Sequence, residues 1–201
     1  MNLSELFQLL AWDLRVNRGW SLDSLRAKLL LVEVRLEQYV YRKLRPPSGR
    51  WRRMGWYLCR FPGSLFQWFL CNANIPGSVT IGRGLRLPHP QNIIITAFAE
   101  LGEFCMLYHN VTIARNSMKL TSPASPKIGN KVLIGAGAII LGEVVIGSEV
   151  LIGAGTVVTQ DVPDHSRITN TPSVIVPRTA SRDVAEPGSK RHLEDPYSLW
   201  R

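Results

Sequence analysis

The chain has 201 residues, of which 45% are hydrophobic and 19% are charged, a mixture typical of a globular protein with one core and room for a small second lobe. No run of eighteen apolar residues occurs, so the sequence predicts no membrane-spanning helix, and the start MNLSELFQLLAWDLR lacks the basic and apolar pattern of a secretory signal. The cysteines at positions 59, 71 and 105 lack metal-binding spacing and suit a reducing compartment. We therefore expect a cytoplasmic protein.

The net charge of +9 is unevenly distributed. Residues 42–60, RKLRPPSGRWRRMGWYLCR, are rich in arginine and contain no acidic residue. This composition is typical of a solvated basic face, or of a surface for an acidic partner such as an anionic lipid or a phosphorylated substrate. A peripheral contact of residues 42–69 with an anionic membrane is one such alternative. Nucleic acid is not expected, because no binding motif accompanies the charge.

The first part of the chain, residues 1–70, is predicted to be a helical segment with a basic and aromatic linker. Apolar residues at spacings of three and four favour helices over 3–18 and 21–44, with a break at Gly19 and a cap at Ser21. A third, shorter apolar segment follows at 64–74. We expect the aromatic residues of this region to cover the open end of the structure that follows. They are Trp51, Trp56, Phe61, Phe66, Trp68 and Phe69.

A large aliphatic residue recurs every six positions from 128 onwards. The series is Ile128, Ile134, Ile140, Ile146, Ile152 and Val158. A glycine follows most of these residues, and a smaller buried-type residue stands four positions after each. Such a unit is a short strand and a turn, which cannot bury its apolar face alone. Stacked units form a solenoid with a continuous core, and the period is that of a hexapeptide repeat.

The same register extends back to position 75, with units at 75, 81 and 87 and then, eight residues on, at 95. The two extra residues predict a bulge near 91–94. Fifteen residues separate Ile113 from Ile128, so residues 114–127 are predicted to leave the solenoid as a loop. The predicted solenoid domain spans 71–177, and the polar tail 178–201 has no period and is expected to be poorly ordered.

The repeat resembles the left-handed parallel β-helix of hexapeptide acyltransferases, in which three six-residue faces make one triangular coil. The resemblance implies a mainly β fold, a left-handed parallel β-helix with an N-terminal α-helical segment. The left hand comes from the resemblance alone, because parallel crossovers are nearly always right-handed.

Three units per coil place equivalent residues in columns. Leu87, Leu107, Ile134 and Ile152 occupy one column by this count. Two residues further on stand His89, His109, Ala136 and Ala154. We expect these four to stack on the outside, about 4.8 Å apart along the column. A basic group above a groove floored by small residues suits an extended thioester cofactor.

Several segments are also similar to serine acetyltransferases, among them IGRGLRLPH at 81–89 and MLYHNVTIA at 106–114. This resemblance implies that His89 is a general base for acetyl transfer from acetyl-CoA to a hydroxyl, a role that suits imidazole. It also implies that Ala136, Ala154 and the neighbouring Gly135 and Gly153 line the pantetheine arm. The loop 114–127 would cover the cofactor.

The sequence departs from serine acetyltransferases at three positions. Pro88 and Asn74 stand where that family has aspartates, the second of which orients the histidine, and Ser125 stands where it has a substrate-binding histidine. His109, by contrast, is found in relatives that acetylate polysaccharide sugars, such as colanic acid acetyltransferases. We therefore expect transfer to a sugar hydroxyl in capsule or exopolysaccharide biosynthesis, with His109 as a second catalytic residue and Asn74 near the substrate.

Other functions remain open at this point. One is serine O-acetylation, and another is a non-catalytic scaffold at a membrane surface. A metal site, as in hexapeptide carbonic anhydrases, is not expected, because the two histidines lack a third ligand. Tyr108 and Arg115 are candidates for contact with substrate or with a second subunit. We expect a homotrimer from the resemblance and because Phe98, Phe104 and Tyr108 lie on coils next to the histidine column, at positions that need not all point inward.

Overall fold

The hexapeptide repeat forms short strands in the computed structural model, which describes residues 1–43, 62–115 and 125–170. The helices are α1 (Leu3–Val16), α2 (Leu22–Lys43) and α3 (62–71). The strands are β1 (Thr80–Ile81), β2 (Ile94–Ile95), β3 (Glu100–Leu101), β4 (Met106–Leu107), β5 (Thr112–Ala114), β6 (Lys127–Ile128), β7 (Leu133–Ile134), β8 (Ile139–Leu141), β9 (Val145–Ile146), β10 (Leu151–Ile152), β11 (Val157–Val158) and β12 (Arg167–Ile168).

Three parallel sheets make the three faces of the coil. Their strand orders are β1-β3-β6-β9, β4-β7-β10-β12 and β2-β5-β8-β11, and consecutive strands always belong to different faces. Single bridges continue the faces at Asn74 with Ile94, at Arg86 with Met106 and at Ile146 with Val162. The predicted three-unit coil is confirmed by this register, and the architecture fits a left-handed β-helix preceded by helices.

The period of six has its cause in the packing of the core. The second residue of nearly every strand is buried, as at Leu107, Ile134 and Ile152, because successive residues of a strand point to opposite faces. The glycine after the aliphatic residue permits close stacking. A Cβ on Gly129 would lie 2.7 Å from the backbone carbon of Gly147 in the next coil.

The predicted irregularities agree with the structure where it describes them. Asn92 adopts a positive φ of 54° in the longer turn before β2. The predicted loop 114–127 is too wide, since Ala114 belongs to β5, where it pairs with Leu141, and Lys127 belongs to β6. The loop's centre, residues 116–124, lies outside the described residues. So do most of the basic segment, 44–61, and the end of the chain from 171, which includes the predicted tail.

The helices follow the sequence prediction closely. Gly19 has a φ of +142° between α1 and α2, and the Ser21 hydroxyl accepts a hydrogen bond from the Ser24 amide at 3.1 Å. In α1, Asn2 and Glu5 form a capping box that the prediction did not include. Within the described ranges, no helix is long and apolar enough to cross a membrane.

The predicted aromatic cover of the solenoid's open end is wrong for the residues that the structure describes. Phe66, Trp68 and Phe69 are exposed in α3. The core of the first coil, residues 74–90, continues instead into the aliphatic face of α2. That face consists of Ala27, Leu30, Leu31 and Val34.

A buried ion pair joins the helices to the edge of the first coil. The Arg35 guanidinium donates to the Asp13 carboxylate at 2.7 Å and to the carbonyls of Ile81 and Gly82 at 2.7 and 2.6 Å. The same carboxylate accepts the amides of Gly84 and Leu85 at 2.9 and 3.0 Å. The ion pair therefore supplies hydrogen-bond partners to backbone groups of the first coil that have no neighbouring strand on that side. Such groups are costly when they are buried without partners.

Three amide side chains complete this polar contact. Asn17 donates to the Leu85 carbonyl at 2.8 Å and accepts from the Leu87 amide at 2.9 Å. Gln38 donates to the carbonyl of Val79 at 2.9 Å. Gln67 of α3 accepts the Ile75 amide at 2.9 Å. Each contact gives a backbone group of the edge the partner that a neighbouring strand would supply.

We expect Asp13→Ala to lower the free energy of unfolding by about 3–5 kcal/mol, because it leaves the Arg35 charge and two backbone amides buried without the carboxylate. Urea unfolding followed by circular dichroism measures the change. Glu103→Ala is the control, since it removes the exposed Arg83–Glu103 pair, which is expected to contribute about 1 kcal/mol or less. Equal losses in the two variants would contradict a structural role for the buried pair.

Candidate active site

The two histidines and two alanines occupy one outer corner of the coil. Leu107 pairs with Ile134, and Ile134 with Ile152, so the residues two positions later stack in the same order. The imidazole rings of His89 and His109 have centroids 5.9 Å apart, at 76°. The His89 side chain is 53% exposed. The structure therefore brings His89, His109, Ala136 and Ala154 together on an accessible corner.

A carboxylate from the helical segment contacts the first histidine. Oδ2 of Asp23 lies 2.8 Å from Nδ1 of His89. Because an ionised carboxylate only accepts hydrogen bonds, this contact requires the proton on Nδ1 and leaves the Nε2 lone pair free to accept another. The geometry is that of a histidine prepared to act as a base at Nε2.

The turn between α1 and α2 fixes the position of Asp23. Asp23 lies in the first turn of α2, and the Ser24 hydroxyl next to it donates to the Asn17 carbonyl at 2.8 Å. Asn17 itself bonds to the backbone of Leu87, two residues before His89. The carboxylate and the imidazole are thus both positioned by the same short segment of the first coil.

Sequence reasoning did not identify Asp23 as a site residue. An acidic residue in the first turn of a helix is explained by the helix dipole alone, so position 23 carries no distinguishing signal. The polar residues that dock the helices do carry one. Asp13, Arg35 and Gln38 are buried within otherwise apolar helix faces, and a polar residue on a core-facing stripe indicates a buried partner.

Other predicted site residues have different environments. The Tyr108 ring lies 6.4 Å from the His89 ring, so it borders the corner. Asn74 is exposed, and its backbone begins the sheet of β2; the group on Nδ1 of His89 is Asp23 and not Asn74. Arg115 is half-buried directly after β5 and lies outside the column. Ser125 is buried and donates to the Ala97 carbonyl at 2.9 Å.

The small residues of the column serve the stacking of coils as well as any ligand. A Cβ on Gly135 would lie 2.6 Å from the amide nitrogen of Ala154, so glycine is required there by the next coil. Ala136 is half-buried and Ala154 is exposed. The two alanines therefore present small side chains at the surface next to the histidines.

The described cysteines do not suit nucleophilic chemistry. Cys71 is buried, and burial, with a smaller contribution from the Asp23 charge, raises the pKa of its thiol to about 11. Burial likewise raises the pKa of Cys105. A protonated thiol is a poor nucleophile at neutral pH. Among the residues that the structure describes, no three His, Cys, Asp or Glu side chains form a group that could hold a metal ion.

We expect Cys71 in a Cys59→Ser variant to react slowly with iodoacetamide at pH 8, and about tenfold faster for each pH unit until the pH nears 11. The reason is that only the thiolate reacts and the pKa of Cys71 is about 11. Mass spectrometry of timed samples measures the rate, and the urea-unfolded chain gives the reference. Labelling at pH 8 as fast in the folded as in the unfolded chain would contradict the expectation.

Comparisons with known proteins agree with this fold. A family model described as bacterial transferase hexapeptide (six repeats) matches residues 125–160. A serine acetyltransferase of Staphylococcus aureus strain Mu50 is 35% identical over 128 residues, which are 64% of this chain and 59% of that protein. The solved structure of Neisseria gonorrhoeae serine acetyltransferase gives a TM-score of 0.70 at 26% identity, over 90% of this chain and 72% of that one.

A second solved structure is a serine acetyltransferase of Brucella abortus strain S19 in complex with coenzyme A, with a TM-score of 0.67 at 25% identity. The match covers 87% of this chain and 68% of that one. The chain spans less than two thirds of the length of the curated relatives it matches. Residues 125–160 thus match the hexapeptide repeats of bacterial transferases, and the chain is similar to serine acetyltransferases in sequence and fold.

Proposed function

We propose that this chain is an acetyl-CoA-dependent O-acetyltransferase in which His89 is the general base. The observation that carries the proposal is the 2.8 Å contact of Asp23 with Nδ1 of His89 at the exposed corner. As the acceptor hydroxyl attacks the acetyl carbonyl, Nε2 takes its proton and the new C–O ester bond forms. The C–S bond of the thioester then breaks, and the imidazolium returns the proton to the departing thiolate of coenzyme A.

His109 has a different part in this proposal. Its ring is 5.9 Å from that of His89, one coil nearer to the two alanines. From there it orients the acceptor hydroxyl or donates to the thioester carbonyl as negative charge develops on it. The pantetheine arm of acetyl-CoA lies along Ala136 and Ala154, whose small side chains leave the corner open. No metal takes part.

The comparisons favour L-serine as the acceptor. The relatives named above are serine acetyltransferases, and a further solved structure, of the Neisseria gonorrhoeae enzyme, is a complex with serine. They do not support the sugar acceptor that the sequence departures suggested. We therefore place serine O-acetylation first.

A sugar hydroxyl is the second candidate, and two positions in the structure favour it. Pro88, directly before His89, offers no side-chain hydrogen bond, and the Ser125 hydroxyl is turned to the Ala97 carbonyl. Neither position thus offers a charged group to an amino-acid acceptor. Polysaccharide precursors need no such group, because a sugar is bound through its hydroxyls.

We further propose a cytoplasmic homotrimer with the histidine corner at the interface. The sheet faces beside that corner carry exposed aliphatic residues, Ile94 and Val157 on one face and Leu151 on the other, and such surfaces are suited to burial against another subunit. Phe98 is exposed as expected. Phe104 packs edge-to-face on Trp12 of its own chain at 5.6 Å, so it is already engaged. Most of the segment 42–69, for which a membrane contact was one alternative, lies outside the described residues.

We expect the protein to release coenzyme A from acetyl-CoA faster when L-serine is added, as measured by trapping of the free thiol. Sugars and nucleotide sugars are assayed in parallel. Activity on sugars but not on L-serine would reverse the order of acceptors. Absence of acetyl-CoA binding at millimolar concentration in calorimetry would contradict the enzyme and favour the non-catalytic scaffold.

The two histidines are expected to differ in how much they contribute to the rate. His89→Ala is expected to lower kcat by about 10²–10⁴-fold, because it removes proton transfer, while acetyl-CoA binding is retained. His109→Ala is expected to cost less. His165→Ala is the control, since His165 is exposed at another corner and contacts Glu149. Full activity of His89→Ala together with inactive His109→Ala would show that the assigned roles are reversed.

A further inference from the structure

We propose that Asp23 is the positioning residue for His89, so that the helical segment supplies the orienting carboxylate of the active site. This inference rests on the proposed function and extends it to a residue outside the β-helix. It assigns to α2 a part in the reaction, in addition to its part in covering the first coil.

Asp23 contacts His89 directly. Oδ2 of Asp23 lies 2.8 Å from Nδ1 of His89, and Oδ1 lies 3.8 Å from the Arg26 guanidinium. The two oxygens thus face different partners, and the hydrogen bond to the imidazole is the shorter of the two contacts. The Asp23 side chain is only 30% exposed, with the buried thiol of Cys71 close enough for its pKa to respond to the Asp23 charge.

Hydrogen bonds in the turn before α2 also fix the position of Asp23. The Ser24 hydroxyl bonds to the carbonyls of Asn17 and Gly19 at 2.8 and 3.1 Å, and Lys28 bonds to the Gly19 carbonyl at 2.8 Å. These bonds close the turn before α2. A surface ion pair formed by chance has no such support, whereas a side chain that must hold another in place requires it.

The turn before α2 is also hydrogen-bonded to the segment that carries His89. Asn17 is 6% exposed and bonds through its side chain to the backbone of Leu85 and Leu87. Leu87 is two residues from His89, so Asn17 connects the turn before Asp23 directly to the segment that carries His89. The distance between Asp23 and His89 therefore depends on how the helices dock.

Position 74 lacks the carboxylate that the resemblance leads one to expect there. The resemblance to serine acetyltransferases places their orienting aspartate there, and this chain has Asn74. An asparagine amide brings no negative charge to stabilise the imidazolium that forms when the base accepts a proton. A carboxylate supplied by Asp23 restores that charge from a different part of the chain and makes an acid at position 74 unnecessary.

The test compares Asp23→Asn and Asp23→Glu with Glu149→Gln. Glu149 is a matched control, since its Oε2 lies 3.2 Å from Nδ1 of His165 in an equivalent carboxylate–histidine pair away from the corner. Asp23→Asn is expected to lower kcat with L-serine by about 10–10²-fold, with KM for acetyl-CoA and the thermal midpoint near the wild type. Asp23→Glu retains more activity than Asp23→Asn, and Glu149→Gln stays within about twofold of wild type.

A second readout does not depend on turnover. Nitrogen-15 NMR of the imidazoles reports which ring nitrogen carries the proton. At a pH where His89 is neutral, the wild type is expected to show the Nδ1–H form of His89, and Asp23→Asn is expected to lose that preference. If the wild type is inactive with every acceptor but the NMR result holds, the proposed function fails while the positioning role stands. Unchanged kcat or an unchanged tautomer in Asp23→Asn would overturn the inference.

Discussion

The exposed backbone edge of the first coil is the constraint on which the rest of this structure depends. A β-helix built from stacked coils pairs its amides and carbonyls with the coils above and below, but the first coil has no neighbour on one side. Left unpaired, that edge would lose hydrogen bonds and attract other strands. In this chain, four buried side chains from α1 and α2 take the place of the missing strand: Asp13, Asn17, Arg35 and Gln38.

The same contacts determine the geometry of the candidate site. The helices dock with one register because each side chain meets a particular backbone group between Val79 and Leu87. That register brings the start of α2, and with it Asp23, to His89. Stability and active-site geometry are therefore coupled in this protein, and a change that loosens the docking is expected to affect both.

The repeat explains why so much of the fold and of the corner could be predicted from sequence. A period of six with three units per coil determines which residues share a column, so the sequence alone predicts that His89, His109, Ala136 and Ala154 stack together. The period carries this information because buried aliphatic residues and close-packed glycines recur at every coil. No such period relates the residues of the helices to those of the repeats.

Within the candidate site, the contacts that the sequence did not predict join distant parts of the chain. Asp23 and His89 are 66 positions apart, and no local pattern links them. The aromatic cover expected for the solenoid end was wrong, because it treated the end as an apolar surface when its edge is a row of polar backbone groups. The acceptor substrate was also not predicted reliably from individual residues. The departures at Pro88 and Ser125 suggested a sugar, while the relatives are serine acetyltransferases.

A crystal structure of the protein with bound coenzyme A would show whether the histidine column is the cofactor site. We expect the pantetheine arm to lie along Ala136 and Ala154, with the sulfur at the end nearest His109 and His89 and with the Asp23–His89 contact intact. Coenzyme A bound on another corner or face of the coil, with the histidine column free, would contradict it.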